Sequence, residues 1–453
     1  MNKQNNTWGE IQSKRRRGIG VASYVNGVLG YSSTSILTAK TIVEAAKSAT
    51  RIVKVSAEIA SIKLPFSKEN PVVENHKRTY EIKKHPNDVE LDFKTDLVER
   101  GMVIAKEEAG KDFSSVEGSY GELYGKKLFV NSEGSEVDWD FLITDLRIKA
   151  VCKGVDGLVT GNDGYGGSYG LEAFSNGFSL ETLGKNAEMW AKEQLGLKKA
   201  PAGDFRCLAD EKLVGVIAHE SFGHLSEADV IVSRGSPLTD RLGEEIANSF
   251  VTIYDEGTPD ITKYGGLYLP FDDQGSRTDN TVLVEDGILK GYLNTRGTTT
   301  FFDDKRTGNS RALNFTFNPI PRMKNTYLVP GDYSHDETMS ELGTGIHAIS
   351  TSGGQVSSEG QFLFNARRGY YIEKGEIKYP LKEVSLSGNI LDLLKYIEGG
   401  TKKIKLSSGY FGGCGKGSQY PLPVGMGGPE ILFSKVRFGG EVDKKTSDLS
   451  MNY

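Results

Sequence analysis

Residues 18–35, GIGVASYVNGVLGYSSTS, alternate apolar with polar or small side chains on both sides of Asn26-Gly27. The pattern predicts two short strands joined by a tight two-residue turn. The spacing then changes. In ILTAKTIVEAAKSATRIVKV, apolar residues fall at Ile42, Val43, Ala46 and Ile52–Val53, near the helical period, with a threonine available as cap. Residues 60–85, with Pro65, Pro71 and many charges, read as a connection. A second helix is expected over 89–108, its stripe made of Leu91, Leu97, Val98, Met102 and Ile104–Ala105.

From Phe113 to Ala173 the chain alternates β-branched or aromatic residues with polar ones and is punctuated by glycine. Long antiparallel strands in a meander follow from that texture. FSLETLGKNAEMWAKEQLGL returns to helical spacing, with Ser179 as candidate cap and Leu183, Ala187, Trp190 and Leu195 facing inward. Pro201-Ala202-Gly203 is a natural boundary. Beyond it lies a glycine-rich stretch of strands and turns, with one clear helix over 389–397. The expected class is α+β, built on a large, mostly antiparallel or mixed sheet with helices. The expected division is an N-terminal α/β region over 1–84, a central α+β domain over 85–200 and a glycine-rich, β-dominated C-terminal domain over 201–453.

Candidate chemistry concentrates in KLVGVIAHESFGHLSEAD, residues 212–229, which holds two of the chain's six histidines. LVGVIA is either a buried strand or the buried start of a helix. His219 and His224 are five apart, so a straight α-helix would set them about 140° apart around its axis. A π-type turn, bonding i to i+5, brings both to one face, and Gly223 eases that distortion. Two readings stay open on these residues alone: a metal-binding pair, or two hydrogen-bonded helical histidines.

A catalytic zinc needs a third protein ligand beside an open position. His76, His85, His335 and His347 sit in polar or turn contexts, whereas Cys414 lies among Gly412, Gly413 and Gly415. It is the candidate third ligand, or else a small buried cysteine in a glycine loop. Cys152 and Cys207 lie in apolar surroundings and read as core. Glu227 and Asp229 follow the histidines; each could orient an imidazole, hold a substrate amino group, or be a plain surface carboxylate. Asp272-Asp273 and Asn309-Ser310-Arg311 read more simply as turn formers than as cleft walls.

Composition narrows the function classes. The chain has 453 residues, 25% of them charged, and a net charge of −5. An acidic balance argues against sequence-independent nucleic-acid binding, despite the local run Lys14-Arg15-Arg16-Arg17. No apolar run reaches membrane-spanning length, and the first residues lack the apolar core of a signal peptide. Three scattered cysteines cannot form a disulfide framework, so a soluble cytoplasmic protein is expected.

Five ordered motifs carry a resemblance: HESFGHLSEAD (219–229), DDQGS (272–276), TGNSR (307–311), NPIPRM (318–323) and CGKGSQYPLPVG (414–425). Together they resemble the TldD branch of the TldD/PmbA family, intracellular peptidases once described as modulators of DNA gyrase. The likeness runs from about Gly18 to the end. It implies a zinc metallopeptidase of HExxxH type, with zinc ligands at His219, His224 and Cys414 and the catalytic acid/base at Glu220. It also implies unfolded peptides or small unstable proteins as substrates, admitted to a protected dimer cleft. The dimer would be a homodimer or a heterodimer with an inactive TldE/PmbA-like paralogue that lacks the histidine motif. The competing expectation is a non-catalytic subunit that binds peptides or scaffolds a partner; the intact four residues speak against it. Family members usually begin with a helix and a strand before the segment matching GIGVASYVNG, and here a short polar stretch stands in their place.

Overall fold

Strands Ile19–Val25 and Val28–Thr34 form the expected hairpin, with Asn26 and Gly27 both at positive φ. That is the turn whose twist matches paired strands. Helix Ala39–Ile59 follows, capped by Thr38, whose side chain accepts from the Thr41 backbone in a capping box. The hairpin presses closely on it: a Cβ on Gly30 would lie 2.3 Å from the Ala49 carbonyl oxygen. The buried stripe is therefore Ala45, Ala49, Val53 and Ala57, while Val43 and Ile52 point outward with Val55 and Ile59. Val43 and Ile52 are among the apolar positions that the helical spacing picks out, yet both lie off this face. Close backbone approach selects small residues for this face, and hydrophobicity ranking misses that.

In the computed structural model the described residues are 1–68, 70–154, 157–176, 180–193, 198–302, 305–382 and 384–439. The meander is present as Phe113–Val130, Glu136–Gly154 and Gly157–Gly167, paired antiparallel in that order. Three strands join it that were not expected, one of them Thr7–Trp8, which pairs with Asn2–Gln4. Val73–His76, inside the presumed connection, pairs parallel to Glu136–Gly154, and Asn2–Gln4 of the polar start pairs with Phe113–Val130. Helices Leu91–Ala109 and Leu180–Glu193 share an apolar core with this sheet, through Leu97, Val98, Met102, Leu183 and Ala187. Leu91 is exposed, because it begins the helix rather than lying on its stripe. Ser179 and Leu195 lie outside the described residues.

The remainder builds two further large sheets and two two-stranded ones among the described residues. A ten-stranded sheet runs in the order Gly354–Val356, Gln361–Ala366, Val384–Asn389, Ile431–Phe438, Gly203–Ala209, Gly345–Ile349, Arg368–Glu373, Glu376–Lys382 and Lys198–Lys199; Ile397–Gly400 also pairs with Ile431–Phe438. Most neighbours are antiparallel, but Gly203–Ala209 runs parallel to Gly345–Ile349. A six-stranded sheet includes Ile253–Glu256, Asn325–Leu328, Gly425–Gly428 and Lys405–Ser407. The expected α+β architecture, with a large, mostly antiparallel or mixed sheet and helices, is the one observed. The late helix covers only Ile390–Lys395, capped by Asn389, and Ile397 already belongs to a strand. No helix among the described residues is long and apolar enough to cross a membrane.

Helix Glu211–Ala218 packs on Gly425–Gly428, and one apolar core takes residues from it and from both sheets. A Cβ on Gly215 would meet the Gly427 nitrogen at 2.4 Å, so helix and strand touch backbone to backbone. Leu213, Val214, Ile217 and Phe222 are buried along this helix and the turn after it. Each contributes about 1.5–3 kcal/mol, against roughly 1–2 kcal/mol of backbone entropy per fixed residue. Apolar packing, not the histidines, sets where this segment lies.

Candidate metal centre

The run LVGVIA resolves as helix. Asp210 caps it, accepting from the Leu213 backbone nitrogen at 2.9 Å. The helix does not continue as α. His219–Gly223 is a π turn in which the His224 N–H donates to the His219 carbonyl, the i to i+5 bond that the spacing called for. His224–Ser226 then tightens to 3₁₀ geometry before Glu227 leaves the helical region at φ −65°, ψ 123°. The two imidazoles meet edge to face, centroids 5.1 Å apart.

Gly223 has a different role from the one expected. Its φ of −55° is ordinary for any residue, but a Cβ there would lie 1.7 Å from the sulfur of Met323. The glycine makes room for Met323 under the turn.

Cys414 opens the short strand Cys414–Lys416, paired with Gln419–Leu422. The hairpin brings its sulfur to 3.1 Å from His224 Nε2. Ligand atoms of His219, His224 and Cys414 all lie within 4.8 Å of one another. Cys152 and Cys207 are elsewhere, fully buried in apolar cores as expected.

The other nitrogen of His224 is also committed. Its Nδ1 lies 3.0 Å from Glu227 Oε2, and Glu227 is wholly buried. Lys416 Nζ lies 3.0 Å from the same Oε2 and 2.6 Å from Asp229 Oδ1. Of the two candidate carboxylates, Glu227 thus contacts an imidazole, while the more exposed Asp229 contacts only Lys416 and its own turn. Arg322, fully buried, donates from Nη2 to the Cys414 carbonyl at 2.8 Å, and its Nε lies 4.0 Å from Glu227 Oε1. Glu220 follows His219 in the π turn, half-buried, with no hydrogen bond or ion pair among the described residues.

Charge follows from these contacts. Burial would raise the Cys414 thiol, but His219 and His224 beside it bring it down to about 5. Burial would lower His224, yet Glu227 and Cys414 hold it well above the usual imidazole range. Burial likewise works against the Glu227 carboxylate, and His224 and Lys416 outweigh it and keep it low. The cluster favours a thiolate, which is the form that binds metal.

The donor set fits a zinc ion on two grounds. Two imidazoles and one thiolate form a borderline-soft set with a position left for water. In addition, Nδ1 of His219 is buried without a hydrogen-bond partner among the described residues, a cost that a structural histidine pair would avoid.

The remaining sequence motifs act as braces. Asp272 accepts from the Gln274, Ser276 and Ser310 backbone nitrogens, at 2.9, 2.9 and 3.0 Å. Asn309 donates to Asp255 and to the Arg322 carbonyl, at 2.7 and 2.8 Å. Arg311 donates to the Met323 carbonyl and, at 2.8 Å, to that of Pro423. They hold the segment carrying Arg322, between strands Ile320–Pro321 and Asn325–Leu328, against the hairpin carrying Cys414. His347, read as a polar-context residue, is instead buried in strand Gly345–Ile349. The parts Arg322 and Lys416 play were not legible: both stand inside quoted motifs, but nothing in a motif marks a cation as buried.

Comparison with known proteins points to one family. Residues 202–440 match the PmbA/TldA metallopeptidase C-terminal domain, and residues 84–195 match the central domain of the same family. A metalloprotease of Methanocaldococcus jannaschii is 33% identical over 420 residues, covering 92% of this chain and 90% of its own. A zinc metalloprotease TldD homologue of Saccharolobus solfataricus is 32% identical over 323 residues, 71% of this chain and 70% of its own. The crystal structure of TldE from Thermococcus kodakarensis shares the fold at TM-score 0.72 and 18% identity, covering 92% of this chain and 89% of that one.

Proposed function

Because the chain belongs to the PmbA/TldD metallopeptidase family, we propose that it is a zinc-dependent peptidase of HExxxH type acting on unfolded peptides. The observation that carries this reading is the convergence of His219, His224 and Cys414, three donor atoms within 4.8 Å, beside the unpaired carboxylate of Glu220.

His219, His224 and Cys414 would hold the ion. A bound zinc ion supplies Lewis acidity, which polarises the scissile carbonyl and makes a coordinated water acidic near neutral pH. Glu220 takes the proton of the attacking water and returns it to the leaving amine. Glu227 fixes the tautomer and orientation of His224 through Nδ1 and raises its basicity as a ligand. Lys416 neutralises Glu227, which would otherwise be an expensive buried charge. Arg322 fixes the backbone of Cys414, so the thiolate is aimed before metal arrives.

The substrate mode rests on a sheet edge that packs against the π turn. Gly354–Val356 is an end strand of the ten-stranded sheet and packs against the π turn. An extended peptide added there would be read through its main chain, which suits unfolded segments of varied sequence and excludes folded ones. The exposed apolar residues of the N-terminal helix, with Ile59 82% exposed, support assembly with a second chain of this fold. That chain is either another copy or an inactive TldE/PmbA-like relative.

The test is Glu220→Gln. The variant should keep about one zinc per chain and lose at least a hundredfold in cleavage of an unfolded casein. Normal cleavage by that variant would remove Glu220 from the mechanism.

A further inference from the structure

A second feature lies where the central and C-terminal segments meet. There a cleft of about 450 Å³ is lined by Asn162, Trp190, Ser352, Asn365, Arg367 and Arg368, among others. That volume suits a small ligand or a few residues of peptide. Its charge is lopsided. Asp163 is committed to Lys212, Asn186 and the Gly164 nitrogen, and Asp145 to Arg147 and the Phe411 nitrogen. Arg368 stacks on Trp190 and Tyr370, its guanidinium carbon 4.6 and 5.4 Å from the ring centroids. Arg367, next to it, makes no hydrogen bond or ion pair among the described residues. Asn365 accepts from Ser385 Oγ at 2.6 Å through Oδ1, and its amide nitrogen donates to no described residue. The cleft therefore presents the Arg367 guanidinium and an amide donor without acceptors among the described residues.

The cleft is also tied to the metal centre. Ser352 lines it, and two residues later begins strand Gly354–Val356, which packs against the π turn. Ser352 lies in a bend and Gly353 has φ 107°, so at about 3.3 Å per extended residue the four steps from Ser352 to Val356 span at most roughly 13 Å. A peptide running along that strand would reach the cleft within a few residues of the scissile bond.

We propose that the cleft around Arg367, Arg368 and Asn365 is a carboxylate-binding subsite that anchors a peptide's terminal or side-chain carboxylate. This rests on the peptidase reading above. A planar guanidinium can take a carboxylate through two parallel N–H donors, which gives direction as well as attraction. Cleavage would then favour peptides carrying a carboxylate at a fixed spacing from the cut, although the main-chain contacts are blind to sequence.

The experiment uses the full-length zinc-loaded Glu220→Gln protein and fluorescence anisotropy with three labelled hexapeptides. One ends in a free carboxylate, one in an amide with no acid, and one in an amide with a single glutamate. The carboxylate peptides should bind at least tenfold tighter than the neutral one, and the glutamate arm separates terminal from side-chain recognition. Adding Arg367→Gln should shrink the preference below twofold, and Arg367→Lys should keep part of it. Equal binding of all three peptides, or a preference untouched by Arg367→Gln, overturns the proposal. So does a change in oligomer mass on Arg367→Gln, which would make the cleft a seam between subunits. Zinc-loaded wild type separates the two readings. Cleavage without carboxylate preference sinks the cleft alone, whereas a preference without cleavage sinks the peptidase reading and leaves the cleft an anion site.

Discussion

Glu227 Oε2 lies 3.0 Å from Nδ1 of His224, while the opposite nitrogen of the same ring faces Cys414 Sγ at 3.1 Å. One imidazole thus has a buried carboxylate behind it and a thiol in front, and the carboxylate decides which nitrogen is left to bind metal. Replacing Glu227 by glutamine keeps the shape and removes the charge. Zinc affinity should fall about 10- to 100-fold, read by competition with a chromophoric chelator. An unchanged affinity would show that His224 is oriented by its turn alone.

Cys414 should be chemically distinct from the other two cysteines. With its thiol brought down to about 5, the metal-free protein should alkylate at this residue rapidly at pH 7. Cys207 is fully buried and its thiol is pushed well above the ordinary range, so it should stay unmodified in the folded state. Added zinc should protect Cys414. Mass spectrometry of tryptic peptides reads both outcomes, and equal labelling with and without zinc would exclude the sulfur as a ligand.

Gly223 and Met323 should behave as a pair. Gly223→Ala drives a methyl group into the Met323 sulfur, an overpacking of about 1–3 kcal/mol. Its melting temperature and zinc affinity should both fall, and adding Met323→Ala should restore much of the loss. A non-additive double-mutant cycle is the signature. If the second change rescues nothing, the glycine serves backbone conformation after all.

How far the site could be read from the chain varies residue by residue. The five-residue spacing of His219 and His224 tied a shared face to a π turn, because covalent geometry leaves few ways to put both rings on one side. It did not by itself choose between a metal pair and two helical histidines. The hairpin at Asn26-Gly27 was equally legible, since few pairs tolerate two positive φ values. Glu227 and Asp229 could not be ranked: same charge, two positions apart, and only folding buries one under the metal pair. Arg322 and Lys416 were invisible as functional groups for the same reason. Val43 and Ile52 misled because a helix pressed against a hairpin backbone selects alanine over larger residues. Asn2–Gln4 carries no apolar signal, and its strand exists only through the neighbour it pairs with.

Asp272 gives a pH test of the bracing network. Burial raises its carboxyl to about 7, partly offset by the backbone N–H groups of Ser276, Ser310 and Gln274. Between its unfolded value of 3.8 and about 7, the folded protein holds a proton that the unfolded chain does not. The stability contribution is therefore present at low pH and lost as pH rises through about 7. The difference between wild type and Asp272→Asn in urea unfolding should decline from pH 4.5 to 7.5, by at most about 1.4 kcal/mol per unit. A flat or rising difference contradicts the buried-carboxyl account.

The central claim is that two imidazoles and one thiolate from distant parts of the chain share a single ion. X-ray absorption at the zinc edge on the reconstituted protein tests it most directly. The account predicts one sulfur at about 2.3 Å and nitrogen donors at about 2.0–2.1 Å, with the sulfur shell gone in Cys414→Ala. A spectrum with nitrogen and oxygen donors only, identical in wild type and Cys414→Ala, would contradict it.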